Sequence, residues 1–139
     1  MIQSDFESFR IALPIPVKVL SPNCTIGTIG GRFIKASAIK RHRKLACEAV
    51  EDSEIETVPW EHVSVSITIY YATRRRRDED NVMGSLKSYY DGIVDSGLVA
   101  DDDKINMTRY MPRLSFDDKH PRVEIILMRL PGGIQCSTF

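Results

Sequence analysis

The chain has 139 residues, 42% of them hydrophobic and 27% charged, values that fit one globular domain able to bury a core. Its 19 basic and 19 acidic side chains cancel, so no global basic excess marks a nucleic-acid partner. No apolar run approaches the ~20 residues of a membrane helix, and "MIQSDFESFR" lacks the basic-then-apolar order of a secretory signal.

Taken in chain order, "FRIALPIPVKVL" reads as an edge strand, because Pro14 and Pro16 cannot donate to a central ladder. "SPNCTIGTIGGRF" reads as a glycine-rich loop or wide hairpin; "GTIGG" lacks the lysine of a phosphate loop. Ala36 to Ser53 reads as a helix with Ile39, Leu45, Ala46 and Ala49 toward the core. "HVSVSITIYYA" alternates Val63, Val65, Ile67 and Ile69 with polar residues, the pattern of a half-buried strand. "NVMGSLKSYYDGIVDSG" is a second helix, stopped at Ser96-Gly97, with Met83, Leu86, Tyr90, Ile93 and Val94 on its apolar face. Beside that face runs a stripe of Asp80, Gly84, Lys87 and Asp91. "INMTRYMPRL" and "PRVEIILMRL" read as two late strands. The order β-α-β-α-β-β predicts a single α+β domain with a mixed sheet and two main helices.

The cysteines, Cys24, Cys47 and Cys136, fit neither a disulfide framework nor a zinc spacing, which favours free thiols in a reducing cytoplasm. The histidines, His42, His62 and His120, have no partner at ligand or triad spacing and read as structural or exposed. Trp60, after Pro59, reads as a packing residue at a strand entry.

Charge is segregated: basic at Lys40–Lys44 and Arg74–Arg77, acidic at Glu48–Glu56, Asp78–Asp80 and Asp101–Asp103. "RRRRDEDN", Arg74 to Asn81, is the sharpest juxtaposition. Asp78 and Asp80 stand two apart at a strand-to-helix junction, where both can face one hard cation, and Asp101–Asp103 can add a third ligand. Guanidinium matches phosphate oxygens with paired donors, so carboxylates, metal and arginines together have the composition of a phosphodiester-cleaving site. The plain alternative makes Asp80 a helix N-cap and the arginines a solvated strand end. A calcium loop does not fit, since Val82 stands where an oxygen ligand belongs.

Arg76 to Ile105, "RRDEDNVMGSLKSYYDGIVDSGLVADDDKI", resembles the core of the RusA family of Holliday junction resolvases. The matching elements are Asp78-Glu79-Asp80-Asn81, then Lys87, Asp91-Gly92-Ile93, Gly97, and Asp101-Asp102-Asp103-Lys104-Ile105. Leu13 to Asn23 is similar to the family's opening strand and loop. The resemblance implies a homodimeric, Mg²⁺-dependent endodeoxyribonuclease, of a kind often carried by phages, that resolves four-way DNA junctions by paired symmetric cuts in recombination and repair; Mn²⁺ is an alternative ion. It implies Asp78, Asp80 and Asp102 as metal-binding catalytic residues and Lys87 as a catalytic lysine. Lys87 follows Asp80 by seven positions where the family has four, which places it about one turn (~4.5 Å) further along the helix. Arg74, Arg75, Arg76, Arg77, Lys40, Arg41, Arg43 and Lys44 are the expected DNA contacts. Two rival readings are a metal nuclease for branched or flapped DNA without junction preference, and a DNA-structure-binding protein with weak or no cleavage.

Overall fold

Strand β2 (His62–Tyr71) is the axis of the sheet, because its apolar residues Val63, Val65, Ile67 and Ile69 are all buried and strands flank it on both sides. The computed structural model describes residues 7–21, 27, 29–55 and 59–131. Around β2 lie β1 (Ser8–Leu13), β3 (Met107–Arg109), β4 (Arg113–Phe116) and β5 (Arg122–Leu130), with helices α1 (Ile29–Asp52), α2 (Glu79–Ser85) and α3 (Lys87–Asp95). β5 sits between β1 and β2, antiparallel to both, while β3 and β4 run parallel to β2 along its other side. The result is the expected α+β fold with a mixed five-stranded sheet.

Several boundaries differ from the sequence reading. β1 stops at Leu13, and the chain after Pro14 leads into a 3-10 turn at Lys18–Leu20 instead of continuing the strand. α1 begins at Ile29, seven positions before the expected Ala36, so Gly30 and Gly31 are helical and not part of a hairpin. Glycine is tolerated there because the amides of a first turn have no intrahelical partner to lose. The remainder of the expected loop, 22–26 and 28, lies outside the described residues, as do Cys24 and Cys136. The single late strand expected from "INMTRYMPRL" is two strands, β3 and β4, interrupted at Tyr110–Pro112. Pro112 has no N–H to give to the ladder.

The second helix is bent. Leu86, with φ −88° and ψ −4°, separates α2 from α3. Two local causes meet here: Gly84 is a weak helix former, and the Ser85 hydroxyl donates back to the Val82 carbonyl at 2.8 Å, a bond that bends helices. Of the expected apolar face, Leu86, Tyr90 and Ile93 are buried; Val82 and Tyr89 join them, while Met83 and Val94 are half-buried.

α1 buries Ala38, His42, Ala46 and Val50, one residue per turn, against α3 and the sheet. The two helices touch at Gly92, where a Cβ would stand 2.2 Å from the Arg43 carbonyl oxygen and 2.7 Å from the Ala46 Cβ. Arg43 then donates to both carboxylate oxygens of Asp95, at 2.5 and 2.8 Å. Trp60 fills the start of β2, its ring edge-on to Phe9 at 5.8 Å.

Gly92→Ala forces backbone against backbone. It is expected to destabilise the protein by about 2–3 kcal/mol, an overpacking cost that exceeds the ~1 kcal/mol an alanine gains in a helix interior. The midpoint of urea unfolding measures it.

Candidate metal and nucleic-acid site

The arginine run forms the link from β2 to α2, and the aromatic residues at the ends of β2 and β4 shape it. The Arg77 guanidinium lies over the Tyr71 ring, its Cζ 3.6 Å from the centroid. It also donates to the carbonyls of Thr73 and Arg75 at 3.2 and 3.0 Å. Arg74 covers the Phe116 ring at 4.6 Å. Two of the four arginines therefore hold the loop together. Arg75 and Arg76 are exposed, and neither guanidinium has a hydrogen-bond or ion-pair partner among the described residues. All four line an open cleft of about 580 Å³ beside Tyr71 and Phe116.

Asp78 is the N-cap of α2, not Asp80: its backbone is extended and its Oδ1 accepts from the Asp80 amide at 2.9 Å. Two residues earlier than expected, this cap leaves the Asp80 carboxylate exposed, with no partner among the described residues. A second cleft, about 410 Å³, has Asp78, Arg75 and Arg77 on one side and Ile15, Val17 and Lys18 on the other. Carboxylate and guanidinium groups thus share one concave surface.

The aspartates of 101–103 lie elsewhere in the chain's geometry. β3, which follows them, runs parallel to β2 and pairs Met107 with Val63 near the start of that strand, whereas Asp78 follows its far end. Asp102 is engaged by Arg109, which donates to its Oδ2 at 2.9 Å and to its carbonyl at 3.2 Å, and Arg109 in turn covers the Tyr90 ring at 4.6 Å. Asp103 Oδ1 accepts from the amides of Ile105 and Asn106 and closes a turn. Among the described residues, no group of three or more His, Cys, Asp or Glu side chains stands close enough to hold a metal. Asp78 and Asp80 are linked through the Asp80 amide, which donates to the Asp78 carboxylate, and among the described residues Asp102 forms no metal-holding group with them. The pair by itself, two carboxylates with open coordination positions for water, suits Mg²⁺, which commonly takes one or two protein carboxylates.

The remaining candidates divide clearly. Lys87 lies beyond the Leu86 bend, 3.5 Å from Asp91 in an exposed ion pair. Arg43 is bound to Asp95, which holds that carboxyl below its ordinary value. Lys44 pairs with Glu48 at 3.7 Å. Lys40 and Arg41 are exposed without side-chain partners among the described residues. Asp117 accepts from the amides of Lys119 and His120 and from Arg122; the Arg122 bond, chiefly, lowers its pKa. It is a turn residue. His62 bridges the Ile105 carbonyl and the Thr108 hydroxyl. Cys47 is a free, half-buried thiol whose pKa burial raises.

His42, which the sequence left as structural or exposed, is buried and belongs to a relay that the sequence did not announce. Tyr89 donates to the Pro14 carbonyl, so the 2.9 Å contact between His42 Nδ1 and the Tyr89 hydroxyl is completed by the imidazole proton. Nε2 is then free to accept from the Val17 amide at 3.5 Å. This neutral ring fastens residues 14–17, one wall of the Asp78 cleft, to α1 and α3.

The chain matches no family model and no curated protein. No helix among the described residues is long and apolar enough to cross a membrane.

Burial, with Arg41 nearby, lowers the His42 pKa from its ordinary 6.5. The folded protein therefore resists a proton that the unfolded chain accepts, so this contribution to stability is complete above pH 6.5 and is lost as pH falls below it. The urea midpoint is expected to drop between about pH 7.5 and about pH 5.5, with a smaller drop in His42→Gln.

Proposed function

We propose that the protein is a metal-dependent endodeoxyribonuclease acting on branched DNA, in the manner of the junction-resolving enzymes its 76–105 segment resembles, as a homodimer making paired cuts during recombination or repair. The observation that carries this reading is the shared concave surface on which Asp78 lies beside Arg75 and Arg77, with the unpartnered Asp80 carboxylate one position into the helix. Anion-binding and cation-binding groups that close together suit a phosphodiester and its metal better than either alone.

In this reading Asp78 and Asp80 hold Mg²⁺, or Mn²⁺, which takes the same oxygen ligands. The bound ion supplies Lewis acidity that offsets charge at the scissile phosphate. Arg75 and Arg76 bind the flanking phosphates, and Arg77 and Arg74 keep their backbone in place through Tyr71 and Phe116. The Asp78 cap fixes the spacing of the carboxylate pair. Lys87 adds positive charge directly after the bend, paired with Asp91 one turn further on. Asp102, held by Arg109 toward the other end of β2, stands apart from this pair, and Asp102→Asn is the substitution that separates a two-aspartate from a three-aspartate site.

Incubating a synthetic four-way junction and a matched linear duplex with the protein, with and without Mg²⁺, tests the reading. Paired cuts confined to the junction and dependent on the ion are expected, and Asp80→Asn should abolish cutting while junction binding changes little. Tight junction binding without cutting under either ion would favour a recognition protein instead; no preference for DNA would end the proposal.

Replacing Arg75 and Arg76 together with alanine is expected to lower the slope of log affinity against log salt by about 2, since each phosphate contact contributes ~0.9. An unchanged slope would leave both arginines as solvated loop residues.

A further inference from the structure

We propose that the first turns of α1 carry a binding site for an unstacked nucleobase, formed by Phe33 and Ile34 against Val17 and Val19, with Arg41 placed for the adjoining phosphate. The inference rests on the branched-DNA reading and names the part of the substrate that this face takes.

Four observations converge. Phe33 is 72% exposed and Ile34 63% exposed, an unusual placement for two large apolar side chains on adjacent helical positions. They are not scattered, because both line an open groove of about 470 Å³ whose other wall is Val17 and Val19 and whose floor includes Ala38. Arg41, exposed and without a side-chain partner among the described residues, stands at the same groove. Finally, Val17 also lines the cleft that contains Asp78, Arg75 and Arg77, so the apolar groove and the carboxylate–arginine cleft are neighbours separated by one short segment.

Charge selects the occupant. From Ile29 to Cys47 the helix carries Arg32, Lys35, Lys40, Arg41, Arg43 and Lys44, and no acidic residue appears before Glu48. A second copy docking here about a two-fold axis would set this cationic face against the same cationic face, because such an interface uses the same patch on both subunits, and like charges across an interface are costly. A polyanion meets no such penalty. The duplex exterior offers phosphates but no apolar surface for Phe33. A base released from its stack offers a π-face, and single-stranded nucleic acid is held by this combination of cationic groove and aromatic platform. Branch points are where bases are most easily unstacked, and apolar side chains that enter a base step hold it open.

A four-way junction carrying 2-aminopurine at its branch point, and a linear duplex carrying it mid-sequence, provide the test with the full chain in EDTA. Anisotropy reports binding, and emission reports unstacking. Wild-type protein is expected to raise emission from the junction and not from the duplex. Phe33→Ala should abolish that rise and weaken junction binding roughly tenfold, within the range of one base–aromatic stack, while duplex binding and its salt slope stay as in the wild type. Phe33→Trp should restore both signals. Wild-type emission and affinity in Phe33→Ala would overturn the inference. So would a shift of that variant from dimer to monomer in sedimentation velocity, which would mark the face as a contact between copies. A protein that binds and cuts junctions with Phe33→Ala unchanged refutes this inference alone. One that binds neither DNA refutes the nuclease reading and this inference with it.

Discussion

At Gly92 two helices meet with nothing between them but backbone and one methyl group, and much of the architecture follows from that approach. Only a residue without a Cβ lets α3 come so near the Arg43 carbonyl. Once there, Arg43 reaches Asp95, and His42, one position earlier, reaches Tyr89. Tyr89 in turn holds Pro14, and Val17 faces the imidazole. A single glycine thus determines how the segment after β1 is seated, and that segment divides the apolar groove on α1 from the cleft at the start of α2.

A chain with no net charge can still prepare a cationic surface if most of its arginines are occupied by internal work. Arg77 lies on Tyr71, Arg74 on Phe116, Arg122 on Tyr70 and Arg109 on Tyr90. In each pair a flat, weakly hydrated cation covers an aromatic face, a contact for which Arg suits better than Lys. Arg109 and Arg122 also neutralise Asp102 and Asp117. Among the described residues, Arg75 and Arg76 at the β2–α2 link and Lys40 and Arg41 on α1 are adjacent pairs without side-chain partners. The uniform run of four arginines conceals two different jobs, and the contacts of Arg77 with Tyr71 and of Arg74 with Phe116 tell them apart.

Much of the fold was legible because it depends on local periodicity. The alternation through Val63–Ile69 located the central strand, and the spacing of Leu86, Tyr90 and Ile93 located a buried helix face. The beginning of α1 was not legible, because Gly30 and Gly31 signal a turn in any local reading and are helical only in the folded chain. The Leu86 bend was hidden in a continuous helical pattern; its signs were Gly84 and Ser85. At the candidate site, the side chains of Lys87 and Asp91 pair, and their shared stripe was legible from spacing alone. Which aspartate caps the helix was not, since either can serve until the backbone conformation of Asp78 decides. Arg109 and the His42 relay were missed for a common reason: their partners are brought to them by strand pairing and helix crossing, and no sequence interval encodes either.

The two borders of the sheet are each interrupted by a proline. β1 ends at Pro14 after six residues, and the opposite border is divided into pieces of three and four residues around Tyr110–Pro112. Long, regular borders invite another chain to add a strand, which is a common beginning of fibrous aggregation. Here, among the described residues, one border is six residues long and the other is broken into shorter pieces, so neither is a long regular edge. Short edges of this kind favour association through side-chain surfaces, where shape and charge can discriminate between partners in a way that backbone pairing cannot.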